Sequence, residues 1–306
     1  MEQARGNPLG MHSLLDHKRW VVKPAPEPTR APPAGVSDVM QRLILHRSHG
    51  QPGRFLRRQP PYDPAQMLQM DRATARLARA VAEGEAVFVH GDFDVDGMTS
   101  TALLYQGLRR LGVQRIKVDI SDRQRGHGVG EGVVRRLIRE RFDLLITTDC
   151  GISDVSPVVA LNEHGIDTVV TDHHHPPQDL PPARALVNPK LPGCPYPNKD
   201  LAGVGVAVQL LRALYQRLGR PADEADHFLD LVMLGTVADL VPLVRQGEVE
   251  NHELVRAGLE RLARGGGNLG LRTLMAALGL DPKHPSVGQI SFVVAPHLNA
   301  ANRVGD

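Results

Sequence analysis

The sequence predicts an α/β fold: a parallel twisted sheet with helices on both faces, followed by a helical segment. Three observations lead there. Short apolar runs alternate with amphipathic stretches at intervals of roughly 25–30 residues, the mark of βαβ units. The apolar runs carry no polar alternation, as strands covered on both faces should not. No shorter repeat suggests a solenoid.

The elements follow in order. Residues 1–64 hold most of the irregular sequence, with a proline-rich stretch at 23–35, a short amphipathic piece at about 38–47 and a second break at 59–64. Proline cannot continue a helix, so this region reads as an N-terminal extension lying on the core. Residues 64–84 have apolar side chains at helical spacing, and Gly84 is the expected stop. A β-rich run follows at 85–92, then a helix at 97–112 ending on Gly112. Strands are expected at 116–121, 143–149 and 167–172, and helices at 130–141 and 155–165. A loop rich in proline and glycine spans 176–198. Beyond it helices dominate, at 203–219, 223–240, 251–265 and 271–279. The expected organisation is an extension (1–64), a catalytic domain (65–242) and a helical connector (243–306) leading toward a second lobe.

Composition narrows the function classes. The chain has 306 residues, 42% hydrophobic, with a formal charge of +2. No apolar run of about 18 residues or secretory core is present, so neither a membrane partner nor a membrane span is expected, and the chain reads as cytoplasmic. Two cysteines, Cys150 and Cys194, make neither a disulfide framework nor a thiolate metal site. The charge is too small to argue nucleic-acid binding alone. The basic clusters at 54–58 and 123–125, each taken alone, read as solvated surface.

The chemistry lies in "HGDFDVDGMTS" (90–100), which puts Asp92, Asp94 and Asp96 into five positions with no lysine or arginine among them. In an open parallel sheet, ligands bind beyond the carboxyl ends of the strands. The first strand delivers these aspartates there, the third delivers Asp149, and the fourth delivers Asp172 followed by His173, His174 and His175. Two like charges ~4 Å apart repel by ~4 kcal/mol at an effective dielectric near ~20. Either several carboxylates are protonated or cations sit between them, and cations suit a cluster with nothing basic beside it. Carboxylate and imidazole without thiolate suit Mn²⁺ or Mg²⁺. So many donors imply two ions, an arrangement that activates water and clamps a phosphoryl group. Singly, each piece has a plainer reading: Asp96 as a helix cap, Asp149 as a loop residue, "TDHHHP" as a polar turn.

These residues resemble the DHH phosphoesterase superfamily, and specifically its RecJ-type branch of single-strand-specific 5′→3′ exonucleases. The resemblance rests on "GDFDVDGMTS", "DLLITTDCGIS" (143–153), "VVTDHH" (169–174), "MLGTVADLVPL" (233–243), "NPKLPGCPYPNKDLAGVGVA" (188–207) and "APHLNAANR" (295–303). It implies that His90, Asp94 and Asp149 hold one ion, and that Asp96, Asp149, His173 and Asp239 hold the other. Asp92 would assist one ion, and His174 would contact the scissile phosphate. Arg123, Asn299 and Arg303 would contact phosphates. His127, His297 and Asn302 stand where the branch commonly has tyrosine, arginine and glycine, and His175 is read as a neighbour. The implied activity is stepwise release of 5′-mononucleotides from single-stranded DNA by a monomer, in DNA repair and recombination, with a single-strand-binding protein and a helicase as partners. A superfamily enzyme acting on short oligonucleotides or other small phosphates is the nearer alternative. A non-catalytic scaffold for DNA or replication proteins is the further one.

Overall fold

A computed structural model describes residues 37–48, 52–121 and 126–304. Its centre is a five-stranded, fully parallel sheet: β1 (Val87–Gly91), β2 (Ile116–Ile120), β3 (Leu144–Thr148), β4 (Asp167–Thr171) and β5 (Ala185–Val187), in spatial order β2-β1-β3-β4-β5. Twelve helices are labelled, ten of them before the C-terminal segment. They are α1 (Asp38–Arg47), α2 (Pro52–Leu56), α3 (Met70–Glu83), α4 (Val95–Arg110), α5 (Glu131–Glu140), α6 (Val155–Glu163), α7 (Gly203–Arg217), α8 (Leu229–Ala238), α9 (Glu250–Ala263) and α10 (Leu269–Ala277). A helical turn, α11 (Val287–Gln289), and a ten-residue helix, α12 (Ala295–Val304), flank a π-helical turn, Ile290–Val294.

Strand periodicity decides which side chains face which layer. Val87 and Val89 of β1 and Leu144 and Ile146 of β3 pack into the large core formed with α3, α4 and α7. The intervening Phe88 and Leu145 point the other way, into a smaller core with Val134 and Leu137 of α5 and Leu161 of α6. There Phe88 meets Phe142 edge-on, with ring centroids 5.1 Å apart. Burying each such side chain contributes roughly 1.5–3 kcal/mol. A third core joins Val95, at the start of α4, to α8, α9, α10 and the C-terminal turns.

Most elements lie where the sequence puts them, with four differences. The helical stretch expected at 64–84 divides into a 3₁₀ turn, Pro64–Gln66, and α3. α4 starts at Val95, because Asp94 is its cap: Asp94 Oδ1 accepts from the N–H groups of Asp96 (2.9 Å) and Gly97 (3.1 Å). Asp96 therefore belongs to the first turn and is not the cap. The stretch expected as one helix at 223–240 divides into a 3₁₀ segment, Ala222–Phe228, and α8. The expected loop at 176–198 contains β5, a buried three-residue edge strand paired with β4. Both cysteines are buried and free. No described helix is long and apolar enough to cross a membrane.

The order β2-β1-β3 means that the chain reverses its direction of travel between β1 and β3. A crevice opens at such a switch point, beyond the carboxyl ends of the two strands.

Candidate metal centre

The segments that leave β1, β3 and β4 meet in that crevice. Asp92 and Asp94 follow β1, Asp149 follows β3, and Asp172, His173 and His174 follow β4, while Asp239 arrives from the end of α8. Three groups of donor atoms lie within 4.8 Å of one another: Asp92, Asp94 and Asp149; Asp96, His173 and Asp239; and Asp149, His173 and His174. Asp149 and His173 each belong to two groups, so the cluster is continuous.

Backbone geometry aims these side chains. Asp149 adopts φ +61°, the left-handed region that aspartate tolerates better than most residues. Its own N–H is held by the Thr171 carbonyl at 3.0 Å. Asp96 is fixed from another direction: Oδ2 accepts from Gly203 N (2.6 Å) and Oδ1 from Val204 N (2.9 Å). These are the first N–H groups of α7, a helix with no side-chain cap of its own. Asp96 thus serves as that cap from a distance and meets the positive end of the helix.

Close approach requires glycine at two places. A Cβ on Gly203 would stand 2.6 Å from Asp149 Cβ, and one on Gly235 would stand 2.8 Å from Asp96 Oδ1.

The electrostatics are those of a site built for positive charge. Asp96 and Asp149 are pushed well above the ordinary aspartate range, chiefly by burial and then by neighbouring carboxylates. Burial also raises Asp92 and Asp239 to about 6. His173 is lowered to about 4, by burial first and the adjacent His174 second. Among the described residues, no lysine or arginine forms an ion pair with any of these aspartates. Asp149 Oδ1 and His173 Nε2 lie 3.1 Å apart, both fully buried, and neither makes a hydrogen bond. Two buried polar atoms without hydrogen-bond partners, facing each other, fit a cation between them, since a buried polar group without a partner costs about 1–3 kcal/mol. The carboxylate and imidazole set fits Mn²⁺ or Mg²⁺.

Asp172 is different. Burial would raise it, but four donors outweigh that and hold it below the usual range. They are Ile152 N on Oδ2 (3.0 Å) and His173 N (2.7 Å), His174 N (3.0 Å) and His174 Nδ1 (2.8 Å) on Oδ1. The same contact raises His174 and turns its Nε2 edge outward.

The family model for the DHH family, N-terminal domain, matches residues 86–236, which span β1 to α8 and contain every donor above except Asp239. The chain belongs to the DHH family. It is 42% identical over 244 residues to the single-stranded-DNA-specific exonuclease RecJ of Bacillus subtilis (strain 168), covering 79% of this chain and 30% of that protein. It is 37% identical over 286 residues to RecJ of Salmonella typhimurium, covering 90% of this chain and 49% of that protein. The fold matches the crystal structure of exonuclease RecJ bound to manganese with TM-score 0.71 at 36% identity, over 80% of this chain and 60% of the other. The chain thus spans half or less of the length of these curated relatives.

In this DHH domain the expected residues sort into three sets. Asp92, Asp94, Asp96, Asp149, His173, His174 and Asp239 come together. His90, expected with Asp94 and Asp149, is in none of these groups. It shares the strand face of Phe88, below the rim, where Nε2 lies 3.1 Å from the Gly128 carbonyl and 3.2 Å from Ser121 Oγ. Its Nδ1 lies 3.7 Å from Asp119 Oδ2. Asp92, one pleat further on, takes the position beside Asp94 and Asp149. Asn299, expected on a phosphate, accepts from Val95 N through Oδ1 at 3.1 Å. Arg123 and the side chain of Arg303 lie outside the described residues.

Sequence reasoning gave no role to Asp172, to Gly203 and Gly235, or to His127, whose Nδ1 lies 3.0 Å from Asp92 Oδ1. The first letter of the DHH motif was the available signal for Asp172.

Proposed function

We propose that this chain is the catalytic core of a metal-dependent exonuclease that hydrolyses phosphodiester bonds of single-stranded DNA from the 5′ end and releases 5′-mononucleotides, in DNA repair and recombination. The observation that carries the reading is the continuous cluster of Asp149, His173 and their carboxylate neighbours at the switch point of the sheet. The RecJ relatives supply the substrate class.

On this reading Asp92, Asp94 and Asp149 hold one divalent ion, Mn²⁺ or Mg²⁺, and Asp96, His173 and Asp239 hold a second, with Asp149 beside both. When bound, such a pair neutralises developing phosphoryl charge and activates water. The protein's own groups do the rest. Asp94 and Asp96 are held rigid by backbone N–H groups before substrate arrives. Preorganised groups of this kind need no rearrangement as charge develops. His174 is oriented by Asp172 and presents Nε2 to a phosphoryl oxygen. Its raised pKa favours the protonated, donating form. The partners that go with this reading are single-stranded DNA, a single-strand-binding protein and a helicase, with the core acting as a cytoplasmic monomer.

The test is degradation of 5′- and 3′-labelled single and double strands, and of a dinucleotide, with Mn²⁺ or Mg²⁺. The expected result is metal-dependent mononucleotide release from the 5′ end of the single strand. Asp149→Ala should abolish it together with Mn²⁺ binding by calorimetry. Near-normal activity in that variant overturns the assignment.

A further inference from the structure

We propose that Asn251 is a positioning residue for one of the two ions: its amide ties the chain segment that carries Asp239 to the segment that fixes Asp96, and so sets how these two donors stand toward each other. This rests on the two-ion reading above.

Asp96, His173 and Asp239 form one donor group, although they come from three distant parts of the chain. Asp96 is aimed by the N–H groups of Gly203 and Val204, which the loop at 198–202 delivers. Asp239 ends α8 and is followed at once by Leu240. Leu240 has φ +61°, a left-handed conformation that a bulky residue keeps only where its surroundings impose it. Its side chain is 78% exposed, so packing of that side chain does not impose it. Val241 touches the edge of the large core, and the next restraint along the chain comes from α9.

Asn251 is the second residue of α9 and is buried, at 2% exposure. Its Nδ2 has two hydrogens to give. One goes to the Asp200 carbonyl at 2.7 Å and the other to the Pro242 carbonyl at 3.0 Å. Asp200 stands shortly before Gly203, and Pro242 shortly after Asp239. One planar group therefore holds both segments in a fixed relation. The amide is itself held: Oδ1 accepts from Asn198 Nδ2 at 3.1 Å, and Asn198 Oδ1 accepts from Asp200 N at 3.0 Å. His252 N adds a bond to the Leu243 carbonyl at 3.1 Å.

Plainer roles fit less well. A polar residue at a helix start commonly caps that helix by accepting its N–H groups. Asn251 instead donates to carbonyls outside α9, and the α9 cap position, Val249, makes no side-chain bond. Burial alone asks only that the amide find partners. It does not ask that the partners be divided between the two segments that serve one donor group. Asn251 also lies beyond residues 86–236, the part of the chain that the family model matches.

The experiment is calorimetric titration of the metal-free 306-residue protein with Mn²⁺ alone. The wild type should bind two ions. Asn251→Ala removes the amide, and Asn251→Asp keeps its shape and its acceptor while removing both donors. Each should weaken one ion about tenfold, the lower end of what is lost when groups behind metal ligands are removed, and leave the other near wild type. Asp239→Ala already lacks the affected ion, so adding Asn251→Ala to it should change Mn²⁺ binding little further. Gln209→Met is the control: it removes a 2.8 Å bond to Glu250, the neighbour of Asn251, without touching either carbonyl. It should lower the urea midpoint and leave both ions in place.

Unchanged Mn²⁺ binding in the Asn251 variants would overturn the proposal. Equal weakening of both ions, a full further loss on top of Asp239→Ala, or the same loss of one ion in Gln209→Met would do so too. If neither Asn251 variant folds, as judged by near-ultraviolet circular dichroism, the amide belongs to the fold and the proposal falls. All of these results leave the two-ion reading standing. A wild type that binds no Mn²⁺ sinks that reading itself, and this proposal with it.

Discussion

Replacing Gly203 with alanine tests how tightly the metal cluster is built into the fold. α7 approaches the cluster end-on, and its first residue has no side chain. An added Cβ would stand 2.6 Å from Asp149 Cβ and 2.8 Å from Asp149 Oδ1. Ordinary contact begins at 3.4 Å, so about 0.8 Å of relief is needed. The obstructing atom cannot swing aside. Asp149 Cβ is anchored to a backbone position with φ +61°, pinned by its N–H to Thr171 O. The relief must come from α7 or from the β3 exit, and moving α7 stretches the two N–H contacts to Asp96. Over-packing of this kind costs about 1–3 kcal/mol. Urea denaturation of the metal-free protein should show that loss. Mn²⁺ affinity by calorimetry should fall roughly tenfold or more, since ~1.4 kcal/mol of misplacement is a factor of ten. Gly205→Ala is the control: its nearest obstacle, at 2.9 Å, is Leu201 Cδ2, a methyl that can rotate away. Equal stability and equal Mn²⁺ affinity in the two variants would refute the claim that close approach of α7 sets the geometry of Asp149.

Two further outcomes follow from polar groups at the edges of the site. Asn299 Oδ1 accepts the first N–H of α4, one residue from the Asp94 cap. Asn299→Ala should lower Mn²⁺ affinity, whereas Asn299→Asp keeps the acceptor and the affinity but raises KM for single-stranded DNA by repelling phosphate; equal loss of metal in both would remove the clamp. Away from the site, buried Glu250 accepts from Tyr196 Oη (2.6 Å), Gln209 Nε2 (2.8 Å) and Asn198 Nδ2 (3.1 Å), and burial nevertheless raises its pKa. A carboxyl raised in the folded state binds more protons there than when unfolded, so its contribution is full at low pH and is lost as pH rises through the folded value. Urea midpoints of wild type relative to Glu250→Gln should therefore drop as pH climbs above the usual glutamate range, and a flat difference would show that its pKa is the same folded and unfolded, refuting the upward shift.

What the sequence reveals about this molecule depends on how local the cause is. β1, β3 and β4 are legible because each is a short run buried on both faces, as in "VFVHG" and "LLITT". β5 is not, because "ALV" is too short to carry a period and sits among prolines; only its pairing with β4 makes it a strand. The single helix expected at 223–240 fails for a similar reason. Apolar spacing persists through Phe228, but the backbone tightens there to a 3₁₀ path that the spacing does not report. The acids at the strand ends are legible because strand polarity alone sends them to one rim. His90 stands among them in sequence, while the pleat places it on the face of Phe88, with Nε2 3.1 Å from the Gly128 carbonyl.

The harder distinction lies among aspartates that look alike in a sequence. Asp172 collects four donors from Ile152, His173 and His174, and it is held ionised without help. Asp149 lies on the same rim and is as deeply buried, but its Oδ1 has no donor and its pKa rises. Asp96 stands between the two: Gly203 and Val204 give it two N–H groups, and burial with Asp239 nearby still pushes it up. The carboxylates that the protein leaves short of positive partners are the ones with something to gain from a cation. That shortage is created by which backbone N–H groups reach each carboxylate: those of 203 and 204 reach Asp96, and that of 152 joins those of 173 and 174 on Asp172. Residue type and strand polarity therefore bring the aspartates to the crevice. Donor supply from α7 and the 150–154 turn decides which of them remain open to metal.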